Sequence, residues 1–306
     1  MANDLKLIDF SALGDVANNL IDKLASAIGW VVMRDTPERI ALTTYIEEIQ
    51  RSELPPLEKA ARISRAKKDI KEYINQYQIV SKAVQSMSHE AKPEEVDNDW
   101  IASFMDKARM ISDEEVQLLW AKIMARETER PGSCSLRTLE TIKNISKNEA
   151  LLFQKYAKMA VFGRGNICIL DGKGKLNNRF TELLLMEECG LLSSSKVSTI
   201  PTLKNDEEEL LFYDYSVCGF ASSKDKACKL NYSSYVFTKA GAELFEVIDI
   251  ERDPEMLLDE LRILSENNPK VTFKAYRFEK IEEESIHYDD TINLLDQNSN
   301  KHSSEK

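Results

Sequence analysis

The sequence is poor in the residue from which catalytic and metal sites are most often built. Only three of the 306 residues are histidines, namely His89, His287 and His302. Histidine is the usual acid–base side chain near neutral pH and the commonest metal ligand. The chain also has no His-Glu-x-x-His motif and no cysteine pair at zinc spacing. We therefore predict no catalytic histidine and no metal site.

Glycine-rich nucleotide loops are missing as well. The segment at 171–175, Asp-Gly-Lys-Gly-Lys, lacks the first glycine and the Gly-Lys-Ser/Thr ending of a phosphate-binding loop. Gly163 and Gly165 stand without the third glycine of a dinucleotide fingerprint. The sequence thus predicts a protein that binds no cofactor and is not an enzyme.

Long apolar runs and paired cysteines are also lacking. No stretch approaches the roughly 20 apolar residues needed to cross a bilayer, and the first residues do not form a secretory signal. The five cysteines include no Cys-x-x-Cys pair, which is typical of reduced thiols. We expect a cytoplasmic protein. The net charge of −11 disfavours an indiscriminate nucleic-acid binder.

Apolar residues recur at helical spacing through the first part of the chain. Residues 11–32 predict an amphipathic helix, which either packs on the body of the protein or contacts a partner or a membrane surface. Thr36 and Pro37 are typical of a new helix start. Residues 57–88 predict a long helix with a coiled-coil-like stripe, paired within the chain or with a second subunit.

Clear helix starts follow over residues 99–162. Ser112, Ser135 and Ser146 each stand where an N-cap is expected, and residues 130–132, Arg-Pro-Gly, form a turn. We predict a helical bundle over residues 1–162. The candidate partner surface is Trp100, Trp120 and Arg137. The alternative, which we favour, is that both tryptophans pack in the core and Arg137 ties helix ends together.

After Gly163 the sequence pattern changes from helical spacing to short β-like runs at 167–170, 210–215, 232–237 and 271–278. A helix at 178–188 stops at Gly190, and Thr238 caps another helix. This order predicts a small α+β winged-helix-like domain over 163–280. Its candidate DNA contacts are Lys224, Lys226, Lys229 and Lys239. Residues 281–306 are polar and acidic, which is typical of a disordered tail.

The helical motifs resemble those of a known family. The motifs lie at 99–104 (Asp-Trp-Ile-Ala-Ser-Phe), at 111–123 (from Ile-Ser-Asp-Glu-Glu to Trp-Ala-Lys-Ile) and at 131–139 (from Pro-Gly-Ser to Leu-Arg-Thr-Leu). They resemble a bacterial domain of unknown function, DUF2806, and more distantly the abortive-infection alpha proteins of phage defence. The resemblance covers 97–162, more weakly the flanks at 20–29 and 237–247, and departs at Cys134 and at 124–126. It implies no reaction and no catalytic residue.

The sequence therefore predicts a mainly α protein, a helical bundle with a long helix followed by the small winged-helix-like domain. We expect a non-enzymatic interaction or regulatory protein, with a role in phage defence as the context that the resemblance implies. A protein partner or a homo-oligomer would bind through the helical half. DNA binding through the second domain and membrane action through the N-terminal helix are the alternatives.

Overall fold

The computed structural model describes residues 14–32, 38–163, 165–174, 176–193, 195–199, 201–203, 207–225, 228–251, 253–282 and 285–297. The predicted helix start at Thr36 and Pro37, and Lys226, lie outside these residues. The described chain forms two compact units. Unit 1 extends to Lys147 and includes Glu246–Ile248, whereas unit 2 contains Asn148–Phe245 and the residues from Asp249 onward. The prediction placed the boundary later, after residue 162.

Unit 1 is helical, as the apolar spacing predicts. Its helices are α1 (Asp15–Ile28), α2 (Glu38–Arg51), α3 (Pro56–Ser86), α4 (Asn98–Ala108), α5 (Glu114–Glu129) and α6 (Leu136–Ile142), with a 3-10 turn at Pro93–Glu95. The predicted long helix is α3, whose interior carries no proline or glycine. It packs along α5, because the stripe that contains Tyr77, Val80 and Val84 is buried there.

The helix starts of unit 1 agree with the predicted positions but not always with the predicted residue. Ser135 accepts a hydrogen bond from the Thr138 N–H and caps α6, as expected. For α5 the cap is Asp113 rather than Ser112, since its carboxylate accepts from the N–H groups of Glu115 and Val116. An aspartate there also complements the positive end of the helix dipole.

The apolar face of α1 is used inside unit 1. Ala17, Leu20, Ile21 and Leu24 are buried, and α1 packs on α4 and on the 3-10 turn. At about 1.5–3 kcal/mol for each fully buried large apolar side chain, this burial favours the packed position. These four side chains of the apolar face therefore lie in the interior of the unit, whereas Ile28 stays 37% exposed.

Unit 2 is built on an eight-stranded antiparallel sheet with the order β10-β9-β6-β5-β1-β2-β8-β3. The strands are β1 (Ala160–Gly163), β2 (Asn166–Leu170), β3 (Val197–Thr199), β5 (Glu209–Tyr213), β6 (Val217–Ser222), β8 (Tyr232–Val236), β9 (Thr272–Glu282) and β10 (Ser285–Asp289), while β4 (Thr202–Leu203) and β7 (Cys228–Lys229) form a separate pair. The helices are α7 (Lys147–Ala157), α8 (Phe180–Glu188), α9 (Lys239–Phe245), α10 (Pro254–Asn267) and α11 (Leu294–Gln297), with a 3-10 turn at Asn177–Arg179.

This unit corrects the predicted small domain. The fold is α+β overall, and the second unit is larger than a small winged helix. The central strand β6 was missed because Cys218 and Gly219 weaken its β-pattern. Gly219 leaves room for α10, since a Cβ there would lie 2.8 Å from a methyl carbon of Leu261, which would have to shift. That close approach lets α10 cover one face of the sheet.

The predicted helix order around Gly190 is present within the larger sheet. Gly190, at φ 69°, ends the turn after α8, and Thr238 accepts a hydrogen bond from the Gly241 N–H at the start of α9. The Thr238 hydroxyl donates back to the Gly190 carbonyl. A Cβ at Gly241 would collide with the Leu191 carbonyl, so only glycine permits this contact.

The predicted tail is corrected over its first part. Strand β9 continues to Glu282, β10 pairs with it, and α11 packs against β9. Ile286 packs on the apolar cluster of Cys218, Phe220 and Tyr276, which explains why this acidic segment is ordered. Residues 298–306 lie outside the described chain.

Candidate functional site

The predicted tryptophans lie in the core of unit 1. Trp100 is 4% exposed and Trp120 fully buried, and Phe104 lies between them with ring centroids 5.0 and 5.1 Å away. The Trp100 indole N–H donates to the Cys134 carbonyl at 2.7 Å. Arg137 is exposed on α6. The three residues therefore form no common surface, and the two tryptophans pack as core side chains.

The predicted DNA-contact lysines that the structure describes are dispersed. Lys224 follows β6, Lys229 lies on β7, and Lys239 opens α9, all exposed. Lys239 forms an ion pair with Glu243 at 3.5 Å. Asp225, the neighbour of Lys224, pairs with Lys270 at 3.5 Å. Of the three described candidates, Lys239 thus has an acidic partner, and Lys224 is followed by an aspartate.

The face of the sheet opposite α10 carries a set of aromatic rings that we call the aromatic face. Antiparallel partners point to the same side, so the pairs Tyr213↔Cys218 and Cys218↔Tyr276 place β5, β6 and β9 side chains on one surface. The pairs Phe162↔Tyr213 and Tyr288↔Phe278 extend it across β1 and β10. The aromatic face consists of Phe162, Tyr213, Tyr215, Phe220, Tyr276, Phe278 and Tyr288.

Ring stacking runs across strands on this face. Phe162 and Tyr213 stack with centroids 4.7 Å apart and 10° between their planes. Tyr213 and Phe278 are nearly parallel at 6.2 Å. A second group joins Tyr276 to Tyr288 at 5.6 Å and Phe220 to Tyr288 at 4.7 Å. Such pairs add stability beyond the burial of their area, which makes the face a rigid platform.

Tyr215 lies at the tip of the β5–β6 hairpin and leans over the first group. Its ring meets Phe162 edge-on at 4.9 Å and Phe278 at 5.6 Å, while 41% of the residue stays exposed. Its backbone φ is 67°, in the left-handed region that residues other than glycine rarely adopt. The turn is held by Asp214, whose Oδ1 accepts from the Ser216 and Val217 N–H groups. Residues held in this conformation often belong to functional surfaces.

Burial suppresses ionisation at this face. It raises the pKa of the Cys218 thiol to about 12, with a further contribution from the Asp214 carboxylate. It also raises the pKa of Tyr288. The hydrogen bond from Lys274 to Glu208 raises the pKa of that lysine. The buried Cys218 thiol and the Tyr288 hydroxyl are therefore neutral near pH 7.

Acidic residues surround these strands. Over residues 207–222, 272–282 and 285–290, eight Asp and Glu side chains stand against three Lys and Arg side chains. Glu207, Glu279 and Asp290 are among the exposed ones. The local balance has the same sign as the whole chain. A positively charged partner is therefore favoured electrostatically over an anionic one.

Within the described residues, no group of three or more His, Cys, Asp or Glu side chains could hold a metal ion. Over the same part of the chain, no helix has the length and apolar character needed to cross a membrane.

The aromatic face was not among the predicted sites. The runs at 210–215 and 271–278 were predicted as strands, and their alternation Tyr213-x-Tyr215 and Tyr276-x-Phe278 was the available signal. Alternation alone does not tell which face is covered by a helix. That depended on the packing of α10 on the opposite side.

Comparison with known proteins adds a family match for part of the chain. Residues 60–167 match the family model described as a protein of unknown function, DUF2806. The DUF2806 segment extends from α3 into β2 and contains the motifs around Trp100, Trp120 and Ser135, which confirms that resemblance for this part. No curated protein and no solved structure matches the chain. The family match gives no link between this chain and the abortive-infection proteins. Of the aromatic face, only Phe162 lies inside the DUF2806 segment.

Proposed function

We propose that this protein is a non-enzymatic binding protein whose aromatic face docks a basic segment of a partner protein. The observation that carries the proposal is a cross-strand platform of seven rings on the sheet face opposite α10, with Tyr215 and Tyr288 exposed by 41% and 37%. Aromatic residues are enriched at the centres of protein interfaces, where they dominate the binding energy.

The rigidity of the platform supports docking. Stacked rings on paired strands lose little conformational freedom when a partner binds, because their rotamers are already set by their neighbours. Tyr288 also carries a hydroxyl that can hydrogen-bond to a partner. A partner side chain that is aromatic or long and apolar would pack against these exposed edges.

The charge around the face supports a basic partner. Eight carboxylates against three basic side chains over the surrounding strands and turns would attract Lys-rich or Arg-rich segments. The same balance disfavours nucleic acid, since phosphate binding depends on an excess of basic side chains. The proposal includes a regulatory role for this contact, and it places that role in phage defence.

DNA binding by the winged-helix-like part is the weaker candidate. The exposed lysines Lys224 and Lys229 favour it, but Lys239 is paired with Glu243. Binding of mixed-sequence duplex DNA that weakens steeply with salt would promote this candidate over the aromatic face.

A peptide-binding experiment tests the proposal on the full chain. The probe is a fluorescein-labelled peptide of alternating lysine and tryptophan, followed by anisotropy, beside a lysine–serine peptide and a glutamate–tryptophan peptide of equal length. We expect only the lysine–tryptophan peptide to bind strongly. Tyr215→Asn and Tyr288→Ser should each weaken that binding about tenfold, the usual loss at a central interface residue.

The matched control is Tyr45→Ser, which removes a tyrosine that is 52% exposed on α2 of unit 1. It should leave the affinity unchanged. Equal binding of all three peptides, or equal loss in all three variants, would mean that the aromatic face is not the docking surface.

A further inference from the structure

One edge of the sheet in unit 2 borders the aromatic face. Strand β10 stands at the end of the strand order and, among the described strands, pairs with β9 alone. Alternate residues of an edge strand direct their N–H and C=O groups away from the sheet, where another strand can pair with them. β10 therefore offers a row of backbone donors and acceptors beside the rings.

The opposite edge strand, β3, differs from β10 in length and in its neighbours. It has three residues whereas β10 has five, and β8 and β2 separate it from β1, the nearest strand of the aromatic face. Natural edge strands are often protected from further pairing by short length, by lysine or by proline. β3 is short, whereas β10 contains neither lysine nor proline. The edge at β10 is thus the better suited of the two to accept another strand.

A bulge in β9 extends the aromatic face toward this edge. The register of the β9–β10 pair shifts after His287, and Glu279 of β9 is the extra residue. One extra residue reverses the facing of a strand beyond it, so Ile281 lies on the aromatic face opposite its partner Ile286. Ile281 is 42% exposed and Tyr288 is 37% exposed. Apolar surface therefore continues from the rings to the edge of the sheet.

The charge near β10 favours a basic strand. Over residues 277–282 and 285–290, four carboxylates stand against two basic side chains. The Lys280 ammonium is paired with Glu282 at 2.6 Å, and Arg277 is the register partner of Asp289. A basic segment along this edge would meet opposite charge, whereas an acidic one would be repelled.

We propose that the basic segment of the partner binds as an extended strand that pairs with β10 and adds a ninth strand to the sheet. In strand addition, backbone hydrogen bonds supply affinity and alternate side chains supply specificity. Every second side chain of the segment would lie beside Ile286 and Tyr288. This inference rests on the proposed function, because it specifies how the same partner is held at the aromatic face.

Backbone methylation of the peptide tests the pairing on the full chain, because it removes N–H donors and leaves the side chains unchanged. The lysine–tryptophan peptide is prepared in two forms, one N-methylated at every lysine and the other at every tryptophan. Neighbouring N–H groups point to opposite edges of a strand, so only one form blocks the edge that faces β10. We expect that form to bind about tenfold more weakly or worse, and the other, its matched control, to stay within about twofold of the parent peptide.

Hydrogen–deuterium exchange read by mass spectrometry locates the contact on the protein. Saturation with the unmethylated peptide should slow amide exchange in fragments that contain residues 285–289 by about tenfold, because the outward N–H groups of β10 become hydrogen-bonded. Fragments that contain residues 197–199, at the opposite edge, are the internal control and should keep their exchange rates.

The outcomes separate this inference from the proposed function. Equal affinities of the two methylated forms, or unchanged exchange over residues 285–289, would overturn strand addition, while binding of the parent peptide would keep the aromatic face as the docking surface. Absence of binding by the parent peptide would remove the proposed function and this inference with it. A dimer in sedimentation velocity whose residues 285–289 are already protected without peptide would assign the edge to a second copy and also overturn the inference.

Discussion

Glu127 near the end of α5 accepts a hydrogen bond from the Cys134 N–H at 2.8 Å, although the two residues lie on either side of a turn. The same oxygen, Oε2, accepts from the Ser133 hydroxyl at 3.1 Å, and the other oxygen, Oε1, accepts the Gly132 N–H. The Cys134 carbonyl in turn accepts the indole N–H of Trp100. One buried carboxylate therefore joins α5, the turn and α4. Gly132, at φ 84°, allows the turn.

Glu127→Gln should destabilise unit 1. An amide offers one acceptor oxygen where two are used, and its NH₂ group would face N–H and O–H donors in a site that is 2% exposed. We expect the free energy of unfolding to fall by about 2–3 kcal/mol, the cost of unsatisfied buried groups. Urea denaturation followed by tryptophan fluorescence reports unit 1, since Trp30, Trp100 and Trp120 are the three tryptophans of the chain.

The matched control for that variant is Glu129→Gln on the same helix. Glu129 is exposed and accepts one hydrogen bond, from the Ser88 N–H at 3.0 Å. We expect a change below about 0.5 kcal/mol, as for most surface substitutions. Equal losses in the two variants would refute the role assigned to Glu127.

Glu127 should also impose a pH dependence. Burial raises the pKa of this carboxyl, outweighing the hydrogen bonds from Gly132, Cys134 and Ser133 that lower it. A raised pKa in the folded state means that the group's stabilisation is complete below its unfolded pKa, about 4.3, and is lost as pH rises through the folded pKa. The difference in unfolding free energy between the unchanged protein and Glu127→Gln should thus shrink as pH rises above about 4.3. A difference that grows over this range would contradict the assignment.

Cys189 should react slowly with alkylating agents despite its partial exposure. Burial raises the pKa of this thiol to about 11, and the Glu149 carboxylate contributes as well. Relative to the ordinary thiol pKa of 9.0, the thiolate fraction falls roughly 100-fold, offset about tenfold by greater nucleophilicity. Iodoacetamide labelling at pH 7.5, read by peptide mass spectrometry, should be about ten times slower than for a free thiol. Glu149→Gln should accelerate it, and labelling at the rate of a free thiol would disprove the expectation.

The backbone at Tyr215 predicts an unusual order of stabilities. At φ 67° an alanine keeps the steric cost of the left-handed region, about 1–2 kcal/mol, whereas glycine does not. Both substitutions remove the ring. Tyr215→Gly should therefore be more stable than Tyr215→Ala by about 1 kcal/mol in denaturation followed by circular dichroism. In a regular strand such as β6, an alanine variant is normally more stable than a glycine variant. A more stable Tyr215→Ala would therefore rule out the strained turn.

Much of unit 1 was predictable from local patterns. The stripe through Tyr77 and Val80 marked α3, and Ser135 marked the start of α6, because spacing and capping act over only a few residues. The cap of α5 was missed by one residue, since Asp113 competes with the neighbouring Ser112 for the same N–H groups.

Contacts between distant segments were less predictable. Asp171 and Lys196 form an ion pair although they are 25 residues apart, and they meet only through the strand pairs β2–β8 and β3–β8. The lysines proposed for DNA contacts were chosen by sequence proximity, which does not report that Lys224, Lys229 and Lys239 lie on or beside different elements.

The sequence by itself determined the helical character of unit 1, the capped helix starts and the β-texture of unit 2, because these follow from local periodicity and hydrogen bonding. Only the tertiary structure decided that β6 pairs with β9 across some fifty residues of chain and that α10 covers one face of the sheet. Strand partners are selected by side-chain packing between distant segments, which no local pattern encodes. The aromatic face is a consequence of that selection.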